Sequence, residues 1–236
     1  MTPARPTAIL FDLWGTLVPP RPDRRDAVSH LMAADLGVGG DEFAAAIRDS
    51  HAERFSGRMG TLAKTLRVLA KRCGGDPAAA ALERAAARRL DVTRELLVAD
   101  ERTLDALDAL RDEGFRLGLV SDSSIETPTA WPGCPLASRI AATGFSCLLG
   151  VRKPHPGIYL HVTRRLGVAP EQCLYVGDGD SRELSGAAAL GMTALRIRLP
   201  GDRPSDRYED DADFTGPEID RLGELVGSSW LGMAVP

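Results

Sequence analysis

The chain has 236 residues, 44% hydrophobic and 26% charged, with a net charge of -4. That length can bury a full core, as one large domain or a core with a modest insertion. The acidic balance argues against a nucleic-acid partner, because phosphate-tracking proteins present a basic face.

The first element is the apolar run Ala8-Ile9-Leu10-Phe11, a buried strand that ends in Asp12 and breaks into Gly15-Thr16. The stretch before it lacks the apolar core of a signal peptide, and no apolar run approaches the ~20 residues of a membrane span. A cytoplasmic protein with no membrane partner is expected. Pro19-Pro20-Arg21-Pro22 is too proline-rich to continue a strand. Helical spacing follows over Asp26–Leu36, closed by Gly37. It continues from Asp41 to Phe55, from Thr61 to Cys73 and from Pro77 to about Leu97. Residues 18–98 therefore read as an inserted helical cap, with 1–17 and 99–236 as the core.

From Asp100 the pattern alternates. Thr103–Glu113 is a helix stopped by Gly114, and Phe115–Val120 a compact strand. Phe145–Leu149 reads as a strand, Pro156–Leu166 as a helix, and Cys173–Val176 as a strand. Arg182–Leu190 is a helix and Thr193–Ile197 a strand. Pro200–Tyr208 reads as a loop, Phe214 as the end of a short edge strand, and Pro217–Val226 as a closing helix. Strands separated by helices imply an α/β fold with a parallel, Rossmann-like sheet and right-handed crossovers. Cys73, Cys134, Cys147 and Cys173 form no C-x-x-C pair and are expected as free thiols in a reducing cytosol.

Four polar groups follow strands in the same position. Asp12 ends the first, Ser121-Asp122-Ser123 the second, Gly150-Val151-Arg152-Lys153-Pro154 another, and Gly177-Asp178-Gly179-Asp180 a later one. In a parallel sheet the carboxyl ends point one way, so these groups converge along the edge where α/β folds build their sites. A turn or N-cap accounts for any one of them, but not for four in order. Asp12 with Gly15-Thr16, Ser121, Lys153-Pro154 and Gly177-Asp178…Glu183-Leu184…Gly186-Ala187 together resemble the four ordered motifs of the haloacid-dehalogenase-like (HAD) hydrolases. The match runs from about Thr7 to Arg198, with the helical block where that family inserts a C1-type cap.

The resemblance implies a covalent mechanism in which the Asp12 carboxylate attacks an electrophile and water cleaves the intermediate. It implies one Mg²⁺, a hard cation suited to oxygen ligands, held by Asp12, the Trp14 backbone carbonyl and Asp178, with Glu183 or Asp180 bound directly or through water. Lys153 would neutralise the nucleophile and the transferred group. The Ser121 hydroxyl would donate to that group, and Thr16 would help bind it. The substrate implied is a small, phosphorylated molecule.

Trp14 departs from the pattern, for it stands where phosphatases of the family carry a second Asp that acts as acid and base. An indole can do neither. Its size resembles the Tyr of the family's 2-haloacid dehalogenases, whose halide needs no proton. Against this, Asp178, Asp180 and Glu183 are costly to gather without a cation, and halide displacement needs none. Metal-dependent phosphate-ester hydrolysis leads. A dehalogenase-like reaction and a catalytically weak binding or regulatory role are the alternatives. Arg supplies all but three of the 29 cations, so Arg54 and Arg58 are expected on a solvated surface rather than against substrate. His30, His51, His155 and His161 show no ligand spacing.

Overall fold

Ala8–Phe11 (β1) is buried on both faces, as expected of a parallel strand covered by helices on each side. It pairs in parallel with Arg116–Ser121 (β2) and with Cys173–Gly177 (β4), in the registers Ile9 to Leu117 and Ile9 to Leu174. With Ala142–Phe145 (β3), Thr193–Ile197 (β5) and Glu218–Ile219 (β6), they form one six-stranded sheet. The order is β3-β2-β1-β4-β5-β6, and every pairing is parallel. The chain thus leaves β1 in one direction and returns to its other side, and the crevice sits at this reversal, outside the carboxyl ends of β1 and its neighbours. This computed structural model describes residues 5–19, 21–200 and 209–231.

Alternation along β1 splits the core in two. Ile9 and Phe11 face a cluster with Leu107 and Leu110. Ala8 and Leu10 face Ile158, Val162, Leu166, Leu184 and Ala187. Between β1 and the helix Glu101–Asp112 lie five helices: Pro22–Leu36 (α1), Gly40–Asp49 (α2), His51–Phe55 (α3), Leu62–Arg72 (α4) and Ala79–Leu96 (α5). They enclose a separate core that includes Met32, Phe43, Leu66, Leu69 and Leu82. The fold is a Rossmann-like α/β core with an all-helical insert.

The helix boundaries follow local chemistry. Pro22 sits in the first turn of α1, where a missing N–H costs nothing, and Gly37 ends it in the left-handed region. The Thr61 hydroxyl accepts from Lys64 N at 3.3 Å and caps α4. Asp100 accepts from Thr103 N at 2.7 Å and caps Glu101–Asp112 (α6).

Several expectations are corrected. The run from Asp41 to Phe55 is two helices, α2 ending at Asp49 and α3 starting at His51, with the Ser50 hydroxyl at the junction donating to the Ile47 carbonyl at 3.0 Å. The strand placed at Phe145–Leu149 lies earlier, at Ala142–Phe145, and Ser146–Leu149 is a one-turn helix (α8) closed by left-handed Gly150. A short apolar run does not distinguish the two. At the end of the chain Phe214 closes no strand. Glu218–Ile219 is the edge strand instead, as Arg196 N and Arg198 N each donate at 2.9 Å to the carbonyls of Pro217 and Ile219. The closing helix is reduced to a 3₁₀ turn at Leu222–Glu224, because its first residues pair with the sheet. Pro200 is in a turn, and the rest of the loop expected to Tyr208 lies outside the described residues. All four cysteines are free thiols. No helix among the described residues is long and apolar enough to cross a membrane.

Candidate active site

Asp12 follows β1 directly and is 4% exposed, its backbone N–H donating to the Val176 carbonyl at 2.9 Å. The next residues coil back on themselves, with Leu17 N and Val18 N both reaching the Leu13 carbonyl at 3.0 Å. Gly15 makes this turn possible for two reasons. Its φ is +90°, and a Cβ there would stand 2.6 Å from Asp178 Oδ2. The turn is therefore pressed against the loop after β4. Trp14 leaves the turn half-buried, with the Arg25 guanidinium of α1 stacked 4.3 Å over its ring.

Lys153 joins two carboxylates. Its buried Nζ donates to Asp12 Oδ1 and to Glu183 Oε2, both at 2.5 Å. Burial alone would lower this ammonium, but Asp12 and Glu183 raise it well above its ordinary value. Burial raises the carboxyl of Glu183 well above its usual range and that of Asp12 above its own, with Lys153 opposing both shifts. Glu183 is fully enclosed. Its Oε2 also accepts from Tyr175 Oη at 2.8 Å, its Oε1 from Gly179 N at 2.9 Å, and its carbonyl from Tyr159 Oη at 3.0 Å.

Asp178 is the third acid here, 5% exposed. One oxygen each from Asp12, Asp178 and Glu183 lie within 4.8 Å of one another, a grouping able to hold a metal ion. Asp180 stands outside that grouping. Its Oδ1 accepts from Ser181 N at 2.6 Å and Glu209 N at 3.1 Å, fastening a loop in which Ser181 and Arg182 both have positive φ. That loop displaces the start of the expected helix, and the helix Glu183–Ala188 begins at the acid itself.

Ser121 ends β2 fully buried, and its hydroxyl and that of Thr16 have no hydrogen-bond partner among the described residues. Neither residue lines the adjoining cavity, a space of about 300 Å³ between sheet edge and helical insert. Asp12, Trp14, Lys153, Asp178 and Asp180 do line it, joined by Asp122 and Ser123. Asp122 is 8% exposed. Its Oδ1 accepts from Lys153 N at 3.0 Å, while its Oδ2 and the Ser123 hydroxyl have no partner among the described residues. Burial raises the Asp122 carboxyl above its ordinary range, although Lys153 and Arg152 pull it down.

The wall from the helical insert holds a correction. Arg54 is buried at 7% exposure rather than solvated, while Arg58 is exposed as expected. Arg54 donates to Ser124 Oγ at 2.8 Å and to the Ile47 carbonyl at 2.9 Å. Beside it Arg89 of α5 donates twice to Glu126 Oε1, at 2.9 and 2.6 Å. Glu126 opens the short helix Glu126–Ala130 (α7) of the core. Its carboxyl is buried, yet Arg89 and Arg54 hold it down at about 2. Sequence spacing carries no signal for this cluster, whose members come from α3, α5 and α7. Asp122 did carry one, since it stands in the Ser-Asp-Ser loop beside Ser121.

The sequence pattern of haloacid dehalogenase-like hydrolases matches residues 6–191. The chain belongs to this family. It is 29% identical over 226 residues to a glyceraldehyde 3-phosphate phosphatase of Methanopyrus kandleri, covering 93% of this chain and 95% of that one. It is 31% identical over 207 residues to a phosphoglycolate phosphatase of Escherichia coli K12, covering 78% and 80%. Among solved structures, L-2-haloacid dehalogenase from Xanthobacter autotrophicus superposes with a TM-score of 0.65 at 21% identity, covering 97% of this chain and 99% of that one. At that identity the likeness is one of fold. As a member of the family, the chain is a hydrolase of the HAD superfamily.

Proposed function

We propose that this protein hydrolyses small phosphate monoesters through an aspartyl-phosphate on Asp12, with Mg²⁺ bound at the sheet edge and residues 18–98 acting as the cap over the site. The observation that carries the reading is the buried set of Asp12, Lys153, Asp178 and Glu183, in which one ammonium faces an excess of carboxylates. Three buried acids around one lysine repel one another, a cost that a bound cation would relieve. Hard oxygen donors within 4.8 Å of one another fit Mg²⁺. Asp12 and Asp178, with the Trp14 carbonyl, are the ligands we favour. Glu183 already accepts from Lys153, Tyr175 and Gly179, so it serves best by fixing Lys153 and completing the outer shell. The cation, when bound, offsets the repulsion between Asp12 and an anionic substrate.

The remaining work falls to side chains of this chain. Lys153 holds the Asp12 carboxylate in one orientation and shares its charge with the incoming phosphoryl oxygens. The unpartnered hydroxyls of Thr16 and Ser121 are donors for those oxygens once the ester displaces the surrounding groups. A dehalogenase-like reaction suits Trp14 but would leave the acid cluster uncompensated, and both sequence relatives above are named as phosphatases. The test is to incubate the purified protein with a panel of phosphate esters and of 2-haloacids, with Mg²⁺ and with chelator. Phosphate release should require Mg²⁺ and fall at least about 10³-fold in Asp12→Asn. Halide release, or phosphate release indifferent to Asp12, would refute the proposal.

A further inference from the structure

The phosphatase reading leaves a vacancy in the chemistry, since Trp14 can neither protonate a leaving oxygen nor deprotonate water. No histidine or tyrosine lines the cavity among the described residues, and the Lys153 ammonium there is held between Asp12 and Glu183, which leaves the carboxyl groups as the source of the proton. Six acids line it: Asp12, Asp26, Asp122, Glu126, Asp178 and Asp180. Asp12 is the proposed nucleophile and Asp178 a proposed cation ligand. Glu126 is pinned by Arg89 and held ionised. Asp180 is fastened to its own loop through Ser181 N and Glu209 N. Asp26 lies on the insert, more than half exposed and paired with Arg48 at 3.3 Å.

We propose that Asp122 is the general acid and base: it lines the cavity that Asp12 also lines, with one oxygen anchored on Lys153 N and the other buried and unpartnered among the described residues. Resting on the phosphatase reading, this assigns the proton transfers to a loop after β2 instead of the turn after β1. The anchor matters, because Lys153 reaches Asp12 with its ammonium and Asp122 with its backbone N–H, so one residue sets both carboxyls. Burial raises Asp122 relative to an exposed aspartate, against the pull of Lys153 and Arg152 and with a small push from Asp180. That is the direction a general acid requires.

The steps balance. An Asp12 oxygen attacks phosphorus, the bond from phosphorus to the ester oxygen breaks, and that oxygen takes the Asp122 proton to leave as the alcohol. The Asp122 carboxylate then removes a proton from water as the water oxygen attacks the aspartyl-phosphate. The bond from phosphorus to Asp12 breaks, inorganic phosphate leaves, and Asp122 is protonated again.

The experiment compares wild type and Asp122→Asn on two esters of similar bulk, 4-nitrophenyl phosphate and benzyl phosphate, with Mg²⁺. Asparagine keeps the acceptor for Lys153 N but has no proton to give. In the variant, kcat/KM on benzyl phosphate should fall by about 10²–10⁴-fold, the worth of a general acid. On 4-nitrophenyl phosphate, whose phenolate needs no proton, the loss should stay under about tenfold. The ratio of the two rates does not depend on how much of the variant is folded. Equal losses on both esters would reduce Asp122 to a positioning role and overturn the proposal. So would an unchanged ratio, or a wild type that cleaves the aryl ester and not the benzyl one. A wild type inert toward every ester would instead fell the phosphatase reading, and the acid with it.

Discussion

Replacing Glu126 with Gln measures how strongly the helical insert is tied to the core. The carboxyl is 5% exposed as a side chain. It meets Arg89 at 2.6 Å and Arg54 at 3.9 Å, whose own side chains are 11% and 6% exposed. Ser124 Oγ adds a hydrogen bond at 2.7 Å. Glutamine has the same shape and keeps one acceptor for Arg89, but it removes the negative charge that faces two buried guanidiniums. Losing one partner of a buried pair costs about 3–5 kcal/mol. An independent figure comes from linkage. A carboxyl held at about 2 in place of an ordinary 4.5 corresponds to about 3 kcal/mol of stability at neutral pH. Because the folded value is the lower one, this contribution is complete above about pH 5 and fades as pH falls toward 2. About half should remain at pH 3. Urea unfolding of wild type and Glu126→Gln at pH 7 should therefore differ by about 3 kcal/mol, and the gap should shrink by about half at pH 3. A gap under about 1 kcal/mol at pH 7, or one that persists undiminished at pH 3, would show that the arginines find other compensation and that the charge argument is wrong.

Two further outcomes are expected. Gly57 has φ +70°, and a Cβ there would lie 2.1 Å from the Cys147 carbonyl of the core. Gly57→Ala should therefore wedge the insert away from α8, lowering stability by about 2–4 kcal/mol and Tm by about 5–10 °C in a thermal melt; an unchanged Tm would mean the two parts separate without cost. Titration calorimetry with millimolar Mg²⁺ should give binding heat for wild type and none for Asp178→Ala, whereas equal heats would place the cation elsewhere.

Much of the fold could be read directly from the chain, for a physical reason. Strands β1 and β4 are buried on both faces, so they appear as continuous apolar runs rather than alternations. The acids that follow them sit at carboxyl ends that a parallel sheet must bring together. Asp12, Lys153, Asp178 and Glu183 meet for that reason, although they are scattered over most of the chain. That Glu183 and not Asp180 joins Asp12 and Asp178 in the buried grouping was not legible. It depends on a loop in which two non-glycine residues take positive φ, and no residue type there signals it. The end of the sheet was lost for a different reason. Ile219, Leu222 and Leu225 have helical spacing and are all buried, yet the first joins β5 as an edge strand, because unpaired backbone groups beside β5 demand a partner.

The arginines mark the boundary of what spacing can reveal. In a chain whose cations are nearly all arginine, each one taken alone belongs on the surface, and Arg58 does lie there. Arg54 differs only through what folds against it: α3 brings it to Ser124 and to 3.9 Å from the Glu126 carboxylate, and α5 brings Arg89 to the same carboxylate. A guanidinium tolerates such burial because its planar fork can spread donors over several acceptors, here Ser50, Ile47 and Ser124 for Arg54. The acidic edge is written in the order of the strands, and the chain can be read for it. The wall that faces it is made where two separately packed units meet, so its chemistry appears only when both are in place.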